Sequence, residues 1–128
     1  MMALLDTHTF LWWNMDDPRL SEAARAFILD GRNELYFSAA SAWEIAIKAE
    51  RGRLYLPEAP QEYVGKRLVL HQIRPLPIEI SHALHVHALP PLHRDPFDRL
   101  LVAQSQLENL PILTGDPGIQ QYEVKIIW

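Results

Sequence analysis

Met2-Ala3-Leu4-Leu5-Asp6-Thr7-His8 opens the chain with an unbroken apolar run that stops at a carboxylate. Consecutive apolar residues without polar alternation fit a strand covered on both faces, as in parallel sheets sandwiched between helices. An acid where such a strand hands over to a helix lies at the strand's carboxyl end, which is where open α/β sheets hold their ligands. The arrangement returns near the other end of the chain, where Pro111-Ile112-Leu113-Thr114-Gly115 leads into Asp116. Between these two stretches, short apolar runs alternate with amphipathic segments, which predicts an α/β domain with a parallel sheet. Strands are expected at residues 2–5, 34–38, 72–76, 111–114 and 124–127.

Helices fill the intervals. The first follows Asp6 to about Asn14, and the second begins near Ser21 and stops at Asp30-Gly31, with glycine as the C-terminal cap. A third runs from about Ser41 to Arg51 and ends at Gly52; its Trp43, Ala46 and Ile47 share one face. A fourth starts near Pro60, where proline suits the first turn. The fifth covers roughly Glu79 to Leu89, and Pro90-Pro91 then forces a loop before His93. The sixth begins with Pro96 and is expected to turn Phe97, Leu100, Leu101 and Leu107 inward. On the first helix, Phe10 and Trp13 enter the core, while Trp12 follows the face of His8 and stays partly exposed.

With 128 residues and no visible repeat or linker, a single domain spanning 1–128 is expected. The content, 48% hydrophobic and 22% charged, excludes a disordered chain. The absence of cysteine excludes disulfides, thiolate zinc sites and cysteine nucleophiles. The first apolar run is too brief for a signal-peptide core or a membrane span, so a cytoplasmic protein without membrane association is expected. A formal net charge of −4 excludes a broad basic footprint for nucleic acid, leaving only local cations.

Four acids stand in apolar surroundings: Asp6, Glu44, Asp98 and Asp116. An ionised carboxylate buried alone costs several kcal/mol, so such groups require cations or a pocket. If they converge they repel, and a bound divalent metal is the least costly remedy. Each also has an ordinary reading. Asp6 and Asp116 can cap the helices that follow them, the latter with Pro117 at the first helical position. Asp95 has the position of a cap for the sixth helix, with Asp98 three residues later like the acidic partner of a capping box. Glu44 can form an exposed i, i+4 pair with Lys48.

The segments Asp6-Thr7-His8, Ser38-Ala39-Ala40-Ser41-Ala42-Trp43-Glu44-Ile45-Ala46-Ile47-Lys48 and His93-Arg94-Asp95-Pro96-Phe97-Asp98-Arg99-Leu100-Leu101-Val102-Ala103-Gln104 resemble PIN-domain ribonucleases. Within that family they resemble most the VapC-type toxins of type II toxin–antitoxin pairs, and Leu113-Thr114-Gly115-Asp116 is similar to the family's fourth acidic motif. The resemblance implies a three-layer α/β/α fold around a central, mostly parallel sheet of four to five strands. It implies an Mg²⁺ or Mn²⁺ cofactor and endonucleolytic hydrolysis of RNA by a metal-activated water, leaving a 5′-phosphate and a 3′-hydroxyl. Carried over by motif, Asp6, Glu44, Asp98 and Asp116 are the catalytic acids, with Asp6, Asp98 and Asp116 as metal ligands. Thr114 and Asp95 are supporting residues. Gly115 stands where the family more often has a larger residue, which is expected to widen the pocket. The partners implied are a cognate antitoxin in an apolar groove near helices one to four, an RNA substrate and a second copy in a homodimer.

Lys48, Arg94, Arg99 and Arg51 are the basic residues nearest these motifs, and the first three, with His93, are the candidate contacts for RNA phosphate. His82 and His85 share a helical face, but surface or capping roles suit them better than zinc. Two other readings stand beside the nuclease. One is a Mg²⁺-dependent phosphotransfer or phosphatase-type domain, although Asp6-Thr7-His8 lacks the second acid of Asp-x-Asp. The other is a non-catalytic PIN-like binding module whose acids merely cap helices.

Overall fold

The structure is a computed structural model that describes residues 1–128. Five strands form one sheet: β1 (Met2–Leu5), β2 (Glu34–Ser38), β3 (Arg74–Leu76), β4 (Ile112–Leu113) and β5 (Ile126–Ile127). Their order is β3-β2-β1-β4-β5, and every neighbouring pair is parallel. The chain winds from β1 outward to β3 and then crosses back to β4 on the other side of β1. The carboxyl ends of β1 and β4 therefore border the crevice where the winding reverses, the place such sheets use for ligands.

Helices α1 (Thr7–Met15), α2 (Glu22–Leu29), α3 (Ala39–Glu50) and α4 (Pro60–Leu70) come before β3; α5 (Ile80–His85), a 3₁₀ turn (Val86–Ala88), α6 (Pro96–Glu108) and α7 (Pro117–Gln120) follow it. The period of two along β1 sends Ala3 and Leu5 into one core with Phe10, Phe37, Ile45 and Tyr63. Leu4 goes to the opposite face with Ala40, Leu101 and Leu110. Along β4, Leu113 joins the first core and Ile112 packs with Val102, Ala103 and Ile119 on the second face. Both faces of the sheet are thus covered, which is the three-layer α/β/α arrangement expected from its continuous apolar strands.

Several expectations need correction. The strands β3, β4 and β5 are shorter than the apolar runs that announce them, because pairing lasts only two or three residues before the chain bends away. The expected fifth helix divides into α5 and the 3₁₀ turn. On α6, Leu101 is fully buried, but Leu107 is 44% exposed because the helical period turns it away from the face that buries Asp98, Leu101, Val102 and Ser105. The apolar face of α3 is the outer one. Trp43 is 60% exposed and stands edge-on to Phe97 at 5.3 Å, while Ala40, Ser41, Glu44 and Ile45 point inward. Trp13 is only partly buried beside Phe10.

Gly115 does not widen the pocket. A Cβ at that position would lie 2.5 Å from Cε2 of Trp128, so the indole occupies the space a side chain would take. Trp128 also packs at a tilt against Trp12, with ring centroids 6.0 Å apart. Gly115→Ala is accordingly expected to destabilise the protein by about 1 kcal/mol, the low end of overpacking costs since Trp128 can swing outward. Removing the indole with Trp128→Ala should abolish that penalty, giving a non-additive double-mutant cycle in chemical denaturation.

Candidate active site

The register of the central strands starts the site. Leu5 pairs with Leu113, so the next residue pair along the sheet places Asp6 beside Thr114. Thr114 Oγ1 donates to Asp6 Oδ2 at 2.8 Å and accepts the Asp116 backbone N–H at 3.0 Å. Asp6 occupies the N-cap position of α1, and its backbone carbonyl accepts the Phe10 N–H at 3.1 Å, yet its carboxylate accepts no hydrogen bond from that helix. Its carboxylate is 2% exposed, and Oδ1 has no partner at all. Capping therefore does not account for Asp6.

Helix α3 brings Glu44 to the same place. Ser38 ends β2, accepts the Ala40 N–H as the N-cap, and donates to Gln104 Oε1 on α6. One turn on, Ser41 accepts a hydrogen bond from Thr7 at 2.8 Å, which locks the starts of α1 and α3 together. Glu44 follows one turn later on the inward face. It does pair with Lys48, at 2.6 Å, but it is 2% exposed rather than on the surface, and its Oε1 is a second buried oxygen with no partner. The remaining acids come from α6 and α7. Asp95 caps α6 by accepting the Phe97 and Asp98 N–H groups at 2.8 and 3.0 Å. Asp98 completes no capping box; its Oδ2 instead meets His93 Nε2 at 2.9 Å. Asp116 divides its oxygens, Oδ1 capping α7 through Gly118 N–H at 2.8 Å and Oδ2 facing His93 Nε2 at 3.5 Å.

Electrostatics record the crowding. Burial, followed by the charges of Asp6 and Asp95 and by the hydrogen bond and charge of Asp116, pushes Asp98 up to about 9. Burial also raises Asp6 above the usual carboxylate range, with Asp116 and Glu44 adding to it and Thr114 and His8 opposing. A protonated Asp98 makes its contact with His93 a hydrogen bond rather than an ion pair. Desolvation works against the Lys48 ammonium, but the hydrogen bond and charge of Glu44, with Asp95 and Asp98 behind it, lift its pKa above the ordinary value. Four helices aim their amino ends at this rim, and their N–H groups carry partial positive charge towards the acids.

Two unpartnered buried carboxylate oxygens beside a carboxyl that resists ionisation form an all-oxygen donor set that suits a hard divalent cation. Of the candidate cations, Lys48 stands at the rim and Arg94 is exposed next to His93. Arg99 is not available to a substrate: its guanidinium donates to the carbonyls of Val86 and Pro90 and to the Tyr122 hydroxyl. His82 is neither a ligand nor on the surface. It is 1% exposed, closes the capping box of α5 with Glu79, and reaches Glu108 at 2.9 Å. Tyr122, which lies outside every motif and carries no local signal of a role, anchors the loop bearing His93 by accepting its backbone N–H at 3.0 Å. A groove of about 240 Å³ opens from Thr7 and His8 between α1 and α3, lined by Leu11, Trp12, Ile45 and Leu54 with Lys48 and Arg53. Roomier depressions of about 450 and 470 Å³ lie away from the acids, the first at the amino ends of β4 and β5.

The family model for the PIN domain matches residues 3–125 of this chain. Ribonuclease VapC22 of Mycobacterium tuberculosis (strain ATCC 25618 / H37Rv) is 32% identical over 121 residues, 94% of this chain and 91% of that protein. Ribonuclease VapC16 of the same organism is 41% identical over 75 residues, 56% of this chain and 53% of that protein, so the match spans about half of that relative's length. Among solved structures, VapBC2 from Rickettsia felis bound to a DNA fragment from their promoter gives a TM-score of 0.71 at 12% identity, covering 98% of this chain and 97% of that one. FitAcB from Neisseria gonorrhoeae gives 0.65 at 19% identity, covering 98% and 96%. At these identities the two structures speak for the fold alone.

The raised Asp98 pKa has a consequence for stability. The folded protein keeps a proton that the unfolded chain releases near pH 3.8, so metal-free stability is fullest below that value and falls as pH rises towards about 9. The melting temperature of metal-free protein, followed by calorimetry, is expected to fall steadily from pH 5 to pH 9. Asp98→Asn should flatten most of that slope.

Proposed function

The chain belongs to the PIN domain family, and on that footing we propose that it is a metal-dependent endoribonuclease and the toxin of a toxin–antitoxin pair. The observation that carries the proposal is the convergence of Asp6, Glu44, Asp98 and Asp116 from four elements, with two of their buried oxygens lacking any partner. A site meant only to cap helices would leave neither orphaned.

In this reading Asp6, Asp98 and Asp116 hold Mg²⁺ or Mn²⁺, and Glu44 completes the acidic wall. When bound, the ion supplies positive charge to the phosphodiester and lowers the pKa of water. The chain's own residues set the stage for that. Thr114 fixes the rotation of Asp6 by donating to one oxygen, which leaves the other directed into the pocket. Asp95 secures the first turn of α6 and so the direction of Asp98. Lys48, partly exposed at 37% of its side chain, lets a polyanion approach a pocket that would otherwise repel it. Arg94 adds a second exposed cation on the His93 side.

The groove between α1 and α3 takes the antitoxin. Its apolar floor suits an extended or helical segment, and it ends beside Asp6, where an arginine from the partner would find carboxylates to bind in two-point fashion. For self-association into a homodimer, Trp43, Ile80 and Leu84 offer exposed apolar side chains. No helix is long and apolar enough to cross a membrane, and action on cellular RNA calls for the cytoplasm.

Asparagine caps as well as aspartate but is a poor metal ligand. Asp6→Asn and Asp98→Asn are each expected to lower RNA cleavage by about 10²–10³-fold or more, the scale of losing one preorganised charge-stabilising group. The melting temperature of the metal-free variants should stay level or rise. Full cleavage by either variant, read on a labelled RNA with added Mg²⁺ or Mn²⁺, would refute the assignment.

A further inference from the structure

His93 is the one basic side chain set between two of the acids. Its Nε2 is 2.9 Å from Asp98 Oδ2 and 3.5 Å from Asp116 Oδ2, and the three groups lie close enough to share an ion. Proximity alone suggests an imidazole ligand. The other ring nitrogen argues otherwise. The Arg94 backbone N–H points at His93 Nδ1 from 3.0 Å. A backbone N–H can only donate, so Nδ1 accepts and carries no hydrogen, and the neutral ring keeps its proton on Nε2. A protonated Nε2 has no lone pair to offer a cation. Freeing it would move the proton to Nδ1, directly against the Arg94 N–H.

The ring is also seated firmly. It lies on Gly118, where a Cβ would stand 2.7 Å from both Cδ2 and Nε2 of His93. The His93 backbone N–H donates to the Tyr122 hydroxyl at 3.0 Å, and that hydroxyl accepts from Arg99 as well. Arg99 in turn grips the loop on either side of the proline pair through the Val86 and Pro90 carbonyls. One donor is therefore held rigidly against both carboxyl groups at once. Partners of this kind, bonded to a ligand and not to the ion, commonly contribute roughly 10- to 100-fold to metal affinity.

We propose that His93 is a positioning residue whose Nε2–H holds the carboxyl groups of Asp98 and Asp116 side by side for a divalent ion, without bonding to the ion itself. The inference rests on the metal-site reading of the acids given above. It is tested on the full chain without RNA, by titration calorimetry with Mg²⁺ and with Mn²⁺ and by pulsed EPR of the Mn²⁺-loaded protein. His93→Ala is expected to lose roughly 10- to 100-fold in affinity for both ions alike. His93→Gln, whose amide N–H falls near the place of the imidazole Nε2–H, should recover most of the loss. Gly118→Ala, which displaces the ring without removing it, should resemble His93→Ala and serves if the alanine variant folds poorly. EPR should detect no nitrogen bonded to Mn²⁺. A bonded nitrogen, a loss confined to Mn²⁺, or unchanged affinity in both His93→Ala and Gly118→Ala would overturn the proposal while leaving the metal site intact. Failure of the unaltered protein to bind either ion would overturn the proposal and the metal-site reading together.

Discussion

Several carboxyl groups packed where water is scarce form the constraint around which this fold is arranged. In water their mutual repulsion would be small, but out of water both desolvation and Coulomb energy grow. The protein meets this with devices spread over the whole chain. Helices α1, α3, α6 and α7 all begin at the pocket, a threonine ties down one carboxylate, a lysine one turn away neutralises another, and an imidazole separates the last two. What these leave unanswered is visible in the two oxygens without partners and in an Asp98 that stays protonated well beyond neutrality.

Much of the framework was legible because it depends on periodicity. Unbroken apolar runs such as Met2–Leu5 have one common solution, a strand covered on both sides, and the order of motifs then dictates a parallel sheet with acids at its carboxyl rim. Residues whose fate depends on partners remote in sequence were harder to read. Trp43 and Glu44 exchange their usual places: the indole is exposed and the carboxylate buried, because the starts of α1 and α3 are fixed to each other through Thr7 and Ser41. That orientation is set by tertiary contacts, and the apolar stripe along the helix pointed the other way.

The site shows the same division. The acidic residue types at strand ends were readable from local sequence alone. The role of Arg99 was not, since it depends on two carbonyls and a tyrosine hydroxyl met only when α6 packs against the loop before it. Gly115 teaches the converse. Its small size looked like room for a ligand and is room for Trp128. A glycine in sequence marks a missing side chain without saying what has taken its place.

The hydrogen bond between Thr114 and Asp6 joins residues 108 positions apart. During synthesis on a ribosome, Asp6 emerges well ahead of β4, its partner strand, and of Asp98 and Asp116 on either side of that strand. The wall made by Thr7, Ser41, Glu44 and Lys48 is contained in α1 and α3, but the pocket closes only when α6 and the residues after β4 supply Asp98, Thr114 and Asp116. The acidic wall proposed to hold the metal is therefore complete only once α6 and α7 have joined β1 and α3.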